Sequence, residues 1–236
     1  MKLNLIRRKT EAPDVESFVF SPTEPLTWKA GQFLHYVLHH EPTDNRGSDR
    51  WFTVASAPFE KEIMITTRLT SEKGSSFKAA LNALQVGESI EISDIDGDFI
   101  VDDPTQEYVF IAGGIGITPF HSILKEADHV DLKLHATLLY ANRDHNIPYK
   151  EGLEKFAKNN PNLVMHYVIA PERIDENTFK KLVPDIQTPV FYVSGPTPMV
   201  ESLGGILKRM GIAADRIKQD YFPGYTDELY SARNTF

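Results

Sequence analysis

Residues Tyr108-Val109-Phe110-Ile111-Ala112 form an apolar run that passes directly into Gly113-Gly114-Ile115-Gly116-Ile117-Thr118-Pro119, and helical periodicity starts at Phe120. This junction constrains the fold more than any other stretch. A short, continuous apolar run suits a strand covered on both faces, as in a parallel sheet. Glycines permit a tight turn, and proline suits the first turn of the helix that follows. A strand, turn and helix in this order imply a right-handed βαβ unit. The free N–H groups and positive dipole end at such a helix start also suit a phosphate. The plainer alternative is a tight turn whose glycines serve packing alone. The string is not G-x-G-x-x-G, because Pro119 stands in the third glycine position.

The rest of the second half keeps this rhythm. Strands are expected at Leu134–Tyr140, Leu163–Ile169, Val190–Val193 and Ile217–Tyr221. Helices are expected near Tyr149–Lys158, Glu176–Leu182 and Pro198–Met210. Alternation of this kind implies a parallel α/β sheet. The first half differs. Val15–Phe20, Gln32–Leu38, Trp51–Ala55, Ile63–Leu69 and Ser89–Ile95 are short β-branched and aromatic runs between Pro, Gly and Asp clusters. They suggest a small antiparallel barrel or sandwich. Phe77, Ala80, Leu81 and Leu84 form one helical stripe, capped by Ser75 or Ser76. The two rhythms meet at Asp102-Asp103-Pro104, so two domains are expected, 1–103 and 104–236.

Composition excludes several chemistries. The chain has 236 residues and no cysteine. A disulfide framework, a thiolate metal site, a cysteine-held iron–sulfur cluster and a cysteine nucleophile are therefore absent from it. The formal charge of −8 argues against general nucleic-acid binding, which needs a basic face. No run approaches 18 consecutive apolar residues, and the basic start lacks an apolar segment behind it, so a cytoplasmic protein without a membrane span is expected. His35, His39 and His40 make only a weak metal pattern, and no metal is expected.

Motif order points further. GGIGITP, then Leu138–Asp144 (LLYANRD), then Tyr192–Met199 (YVSGPTPM), resembles the nucleotide domain of the ferredoxin–NADP reductase family. Arg50-Trp51-Phe52-Thr53 resembles that family's flavin motif, Arg-x-Tyr/Phe-Ser/Thr. Lys73-Gly74-Ser75-Ser76-Phe77 stands where the family keeps a second flavin-phosphate loop, in a shifted register. The resemblance covers almost the whole chain. It implies an antiparallel FAD-binding β-barrel followed by a Rossmann-like NAD(P)-binding domain.

The resemblance also implies roles. Arg50 would pair with the flavin diphosphate, for which a forked, permanently charged guanidinium is suited. Phe52 would stack on the isoalloxazine, and Thr53 would offer a hydroxyl near flavin N5. Trp51, Gly74, Ser75 and Ser76 complete the flavin set. Taken alone, Phe52 reads as a core aromatic, Arg50 as a surface ion pair and Ser75 as a helix cap. Gly113, Gly114, Gly116, Thr118 and Pro119 would receive NADH or NADPH, bordered by Asn142, Arg143, Gly195, Pro196 and Met199. Ser194 replaces the family's usual cysteine beside the reacting carbon. Asp220-x-Phe222 resembles the family's acidic-x-Phe ending, and Tyr225 is the candidate ring over the flavin, with Tyr230 and Phe236 as rivals. Glu172 and the missing serine after Ile169 favour NADH, while Arg143 and Arg173 keep NADPH open. The implied activity is hydride transfer from nicotinamide to flavin N5. The electrons then go to an external acceptor such as ferredoxin, flavodoxin, an oxygenase component or a small molecule. The alternatives are a non-catalytic nucleotide-binding module and an electron-transfer subunit of a larger complex.

Overall fold

The computed structural model describes residues 1–69 and 74–222. The first sheet contains β1 (Lys2–Ala12), β2 (Val15–Pro22), β3 (Phe33–Val37), β4 (Asp49–Thr53), β5 (Ile63–Arg68) and β6 (Ser89–Asp96). Its order is β4-β3-β6-β1-β2-β5, and every pair is antiparallel. The outer strands β4 and β5 do not pair with each other, so the expected barrel is present as a half-barrel. Helix α1 (Ser76–Ala83) closes its apolar side with Phe77 and Leu81, both fully buried. Each contributes about 2 kcal/mol by leaving water. Ser75 is its cap and accepts a hydrogen bond from the Lys78 amide at 3.2 Å.

Strand β1 was not expected from the sequence, yet it lies between β6 and β2. Its apolar content is thin: Leu3, Leu5 and Ala12 point inward, while Arg7 and Arg8 are held at the surface by Glu62 and Asn82. Alternation is legible only over its first four residues, and the basic cluster masks the rest.

The second sheet contains β7 (Glu107–Gly113), β8 (His135–Asn142), β9 (Leu163–Ile169), β10 (Val190–Pro196) and β11 (Ile217–Phe222), all parallel. Its helices are α2 (Thr118–His129), α3 (Lys150–Asn159), α4 (Glu176–Leu182) and α5 (Thr197–Arg209). The strand order β11-β10-β7-β8-β9 means that the chain winds one way from β7, then returns to place β10 on β7's other side. That reversal is a topological switch point, where open α/β sheets form a crevice. Tyr108, Phe110 and Ala112 face α2 on one side, and Val109 and Ile111 face α5 on the other. Val19, Ala55, Met64 and Phe99 join the α2 side, so one apolar cluster spans both sheets beside a second core inside the first sheet. Among the described residues no helix is long and apolar enough to cross a membrane.

Candidate cofactor site

Strand β4 carries Arg50 and Phe52 on one face and Trp51 on the other, as period-two alternation demands. Phe52 packs against Phe77 at 5.8 Å and Tyr36 at 5.9 Å, and it remains half-buried. Arg50 lies over the Phe77 ring at 5.4 Å. Its Nη1 donates to the carbonyls of Arg46, Gly47 and Asp49. Its Nη2 is buried and has no hydrogen-bond partner. A buried cationic donor without an acceptor is costly. The donor set therefore fits an anionic oxygen, such as that of a flavin diphosphate. Trp51 is 48% exposed and packs on Phe33 and His35, away from Arg50. Thr53 is buried at the end of β4.

The sequence did not single out Asp44, which organises this corner. Its carboxylate accepts from the Ser76 amide at 2.8 Å and from Arg46 Nη2 at 2.7 Å. The Ser76 amide, then the Arg46 guanidinium, hold its carboxyl far below the usual carboxylate range. Arg50 Nη2 lies 4.0 Å from the same group. Ser76 Oγ accepts from the Asp44 amide and meets His40 Nε2. Gly74 offers its carbonyl to Arg46 Nη2. Ser75 and Ser76 are thus engaged within the protein, and Ser75 matches its plainer reading as a cap. His35 pairs with Asp49 and Ser93, and His40 also bonds the Leu38 carbonyl.

At the switch point the glycine string is not a loose loop. Gly114–Ile117 form a 3-10 turn, and α2 begins two residues earlier than expected, at Thr118. The glycines differ in purpose. A Cβ on Gly116 would lie 2.2 Å from the Ser194 carbonyl oxygen. One on Gly113 would lie 2.3 Å from Met199 Sδ. A side chain at either position would meet protein, so both glycines have a packing reason to be there. A Cβ on Gly195 would lie 3.3 Å from the Gly113 backbone, a tight contact rather than an overlap. Of the three glycines in this string, Gly114 combines a left-handed φ of +53° with open space where a Cβ would stand. Thr118 is buried and donates to the Ile115 carbonyl, and Pro119 is buried behind it.

Gly195 and Pro196 end β10 rather than opening a turn. Asn142 ends β8, and its buried Nδ2 has no partner. It lines a cleft of about 230 Å³ with Arg143 and with Asp14 and Arg68 of the first half. Phe222 is the last residue of β11. Tyr225, Tyr230 and Phe236 lie outside the described residues.

From sequence, Asp220 is only the acid of the acidic-x-Phe ending. Parallel pairing of β10 and β11 sets it directly beside Ser194, whose Oγ donates to Asp220 Oδ2 at 3.1 Å. Burial pushes its carboxyl up to about 6 despite that bond. The folded chain therefore holds a proton there that the unfolded chain has released, between about pH 4 and pH 6. Stability from this group falls as pH rises through that window and stays low above it. Asp220→Asn should raise the unfolding free energy at pH 7.5 by roughly 3 kcal/mol. The gain should vanish below pH 4. Urea denaturation of both proteins at the two pH values checks this, and parallel pH profiles would refute it.

Residues 110–204 match the family model of the oxidoreductase NAD-binding domain. The chain is 25% identical over 248 residues to the ferredoxin reductase component of 3-ketosteroid-9-alpha-monooxygenase from Mycobacterium tuberculosis (strain CDC 1551 / Oshkosh), over 98% of this chain and 68% of that protein. It is 26% identical over 222 residues to the carnitine monooxygenase reductase subunit of Escherichia coli (strain K12), over 86% of this chain and 67% of that one. The chain thus spans about two thirds of the length of these curated relatives. A crystal structure of a ferredoxin NADP+ reductase from Neisseria gonorrhoeae with bound FAD and NADP superposes with a TM-score of 0.78, over 94% of this chain and 98% of its own, at 17% identity. Residues 110–204 are thus an oxidoreductase NAD-binding domain, and the two-sheet fold of the whole chain is that of the Neisseria gonorrhoeae ferredoxin NADP+ reductase.

Proposed function

We propose that this chain is a flavin-dependent NAD(P)H reductase that passes electrons to a separate acceptor. One observation carries the reading: the end of the candidate flavin strand abuts the helix of the candidate nicotinamide turn. His121 and Ser122, in the first turns of α2, donate to the carbonyls of Ala55 and Ser56 at 2.7 and 2.6 Å. Those carbonyls lie two and three residues beyond Thr53. Two cofactors that exchange hydride must meet face to face, and here their two candidate binding motifs meet.

In this reading residues 1–103 hold FAD and residues 104–236 hold the nicotinamide dinucleotide. Arg50 Nη2 binds a diphosphate oxygen, Phe52 covers one face of the flavin ring, and Thr53 lies near its reactive edge. Trp51, Gly74, Ser75 and Ser76 form the rim. Gly114 lets the dinucleotide approach the backbone, while Gly113, Gly116 and Gly195 hold β7 and β10 close enough to form the crevice. Thr118, Pro119, Asn142, Arg143, Pro196 and Met199 border it. Ser194 and Asp220 face the reacting end, and Phe222 closes the far side. FAD supplies a two-electron acceptor that can release its electrons singly. The curated relatives named as reductase components of monooxygenases support an oxygenase component or small redox protein as that acceptor. The exposed Glu172 after β9 supports NADH over NADPH by repelling a 2′-phosphate.

The purified chain should take up FAD, turn yellow, and bleach anaerobically on addition of NADH. A colourless protein that binds no added FAD, or a yellow one that neither nicotinamide bleaches, would overturn the reading. With bleaching established, an acceptor screen on the reduced protein identifies where the electrons go.

A further inference from the structure

A buried line of polar side chains crosses between the two sheets. Glu11 of β1 has a side chain only 4% exposed, and it accepts from Ser17 Oγ of β2 at 3.1 Å. Ser17 Oγ lies 2.7 Å from Thr66 Oγ1 of β5, and Thr66 bonds the Tyr149 hydroxyl. A carboxylate only accepts, so the direction is set: Tyr149 donates to Thr66, Thr66 to Ser17, and Ser17 to Glu11. The Tyr149 ring stacks on His121 of α2 at 3.9 Å and 17°. The His121 Nδ1–H donates back to the first half, to the Ala55 carbonyl. Full burial pushes the His121 pKa down to about 3, so the ring stays neutral and keeps that donor arrangement at ordinary pH.

Tyr149 stands immediately before α3 with a φ of +62°. This left-handed backbone is unfavourable for a bulky aromatic residue, and it persists only where surroundings over-determine it. Here the hydroxyl and the ring face are both engaged, one by each half of the molecule. The connection also reaches the site. His121 is three residues beyond Thr118, and Ala55 is two beyond Thr53. A shift of Tyr149 would therefore move the nicotinamide turn against the flavin strand.

We propose that Tyr149, with Thr66 and His121, is a positioning device that fixes how the nicotinamide turn faces the flavin strand. This rests on the reductase reading above. Neither Tyr149 nor Thr66 touches a cofactor in that reading, so both act through orientation. Hydride transfer falls steeply with small misplacement of the reacting atoms, which makes such a device consequential.

The test uses Tyr149→Phe, which keeps the ring and removes only the hydroxyl, and Thr66→Val, which removes its partner. The absence of native cysteine allows spin labels on Val86→Cys and Val164→Cys, which are 64% and 48% exposed on opposite halves. The inter-label distance distribution should be narrow in the parent and broader or shifted in either variant. FAD content and dinucleotide affinity should stay within about twofold. The anaerobic bleaching rate at saturating NADH should fall by about tenfold or more, and the long-wavelength flavin–nicotinamide absorbance band should weaken. The double variant should lose less than the sum of the two singles, because both remove the Tyr149–Thr66 bond. Unchanged label distances with an unchanged rate would overturn the proposal. A parent protein that does not bleach would refute the reductase reading, and the label distances would still decide whether Tyr149 sets the orientation.

Discussion

Arg50→Ala should weaken FAD binding by roughly 30- to 150-fold, the equivalent of about 2–3 kcal/mol for one charge-assisted bond to phosphate. The argument lies in how the guanidinium is divided. Nη1 is spent on the three carbonyls of Arg46, Gly47 and Asp49, which shape the approach to β4. Nη2 is buried without an acceptor, and Asp44 is 4.0 Å away. A diphosphate oxygen would remove that penalty, so binding gains more from this group than from an exposed lysine. Arg50→Lys should recover part of the affinity, because it restores the charge without the fork. The flavin-to-protein absorbance ratio and a fluorescence titration with FAD read the effect. An unchanged ratio in the alanine variant would place the diphosphate elsewhere.

Gly116→Val should destabilise the fold itself rather than nucleotide binding alone. Its Cβ would come within 2.2 Å of the Ser194 oxygen and 2.7 Å of the Gly195 Cα. Both are backbone atoms of β10, so no side chain can swing aside. The ends of β7 and β10 would have to part, at a cost of about 3 kcal/mol or more. For a chain of this size that lowers the melting temperature by roughly 6–12 °C. Gly114→Ala is the contrast. Its side is open, and only its φ of +53° opposes a side chain. That costs about 1 kcal/mol. Calorimetry should separate the two variants clearly. Dinucleotide affinity should fall in Gly114→Ala while FAD retention holds. Equal melting temperatures for the two would show that Gly116 is not a packing glycine.

Elements bounded by strong local signals are legible in the sequence to the residue. Strand β9 and helix α4 fall where expected, Leu163–Ile169 and Glu176–Leu182. The first follows the Asn160-Pro161-Asn162 turn. The second starts at an Asp175 cap whose side chain accepts from the Thr178 amide. Strand β1 shows the opposite case. Its place beside β6 depends on partners more than 80 residues away, and Arg7 and Arg8 find their acceptors in Glu62 and Asn82. The flavin-side motif was legible as residue types, Arg50 and Phe52 on one face. Asp44 was not, because nothing local marks a loop aspartate as the group that will meet the start of α1.

The sequence alone determined the two rhythms, the βα junction at Gly113–Pro119 and the absence of any thiol chemistry. These depend on backbone propensity, side-chain period and composition, which act between near neighbours. Tertiary structure decided which glycine faces open space, which carboxylate stands beside Ser194, and how the two halves are held. Ser194 and Asp220 are 26 residues apart, and Thr66 and Tyr149 are 83 apart. Strand order and register bring them together, and no local preference of either residue encodes that meeting.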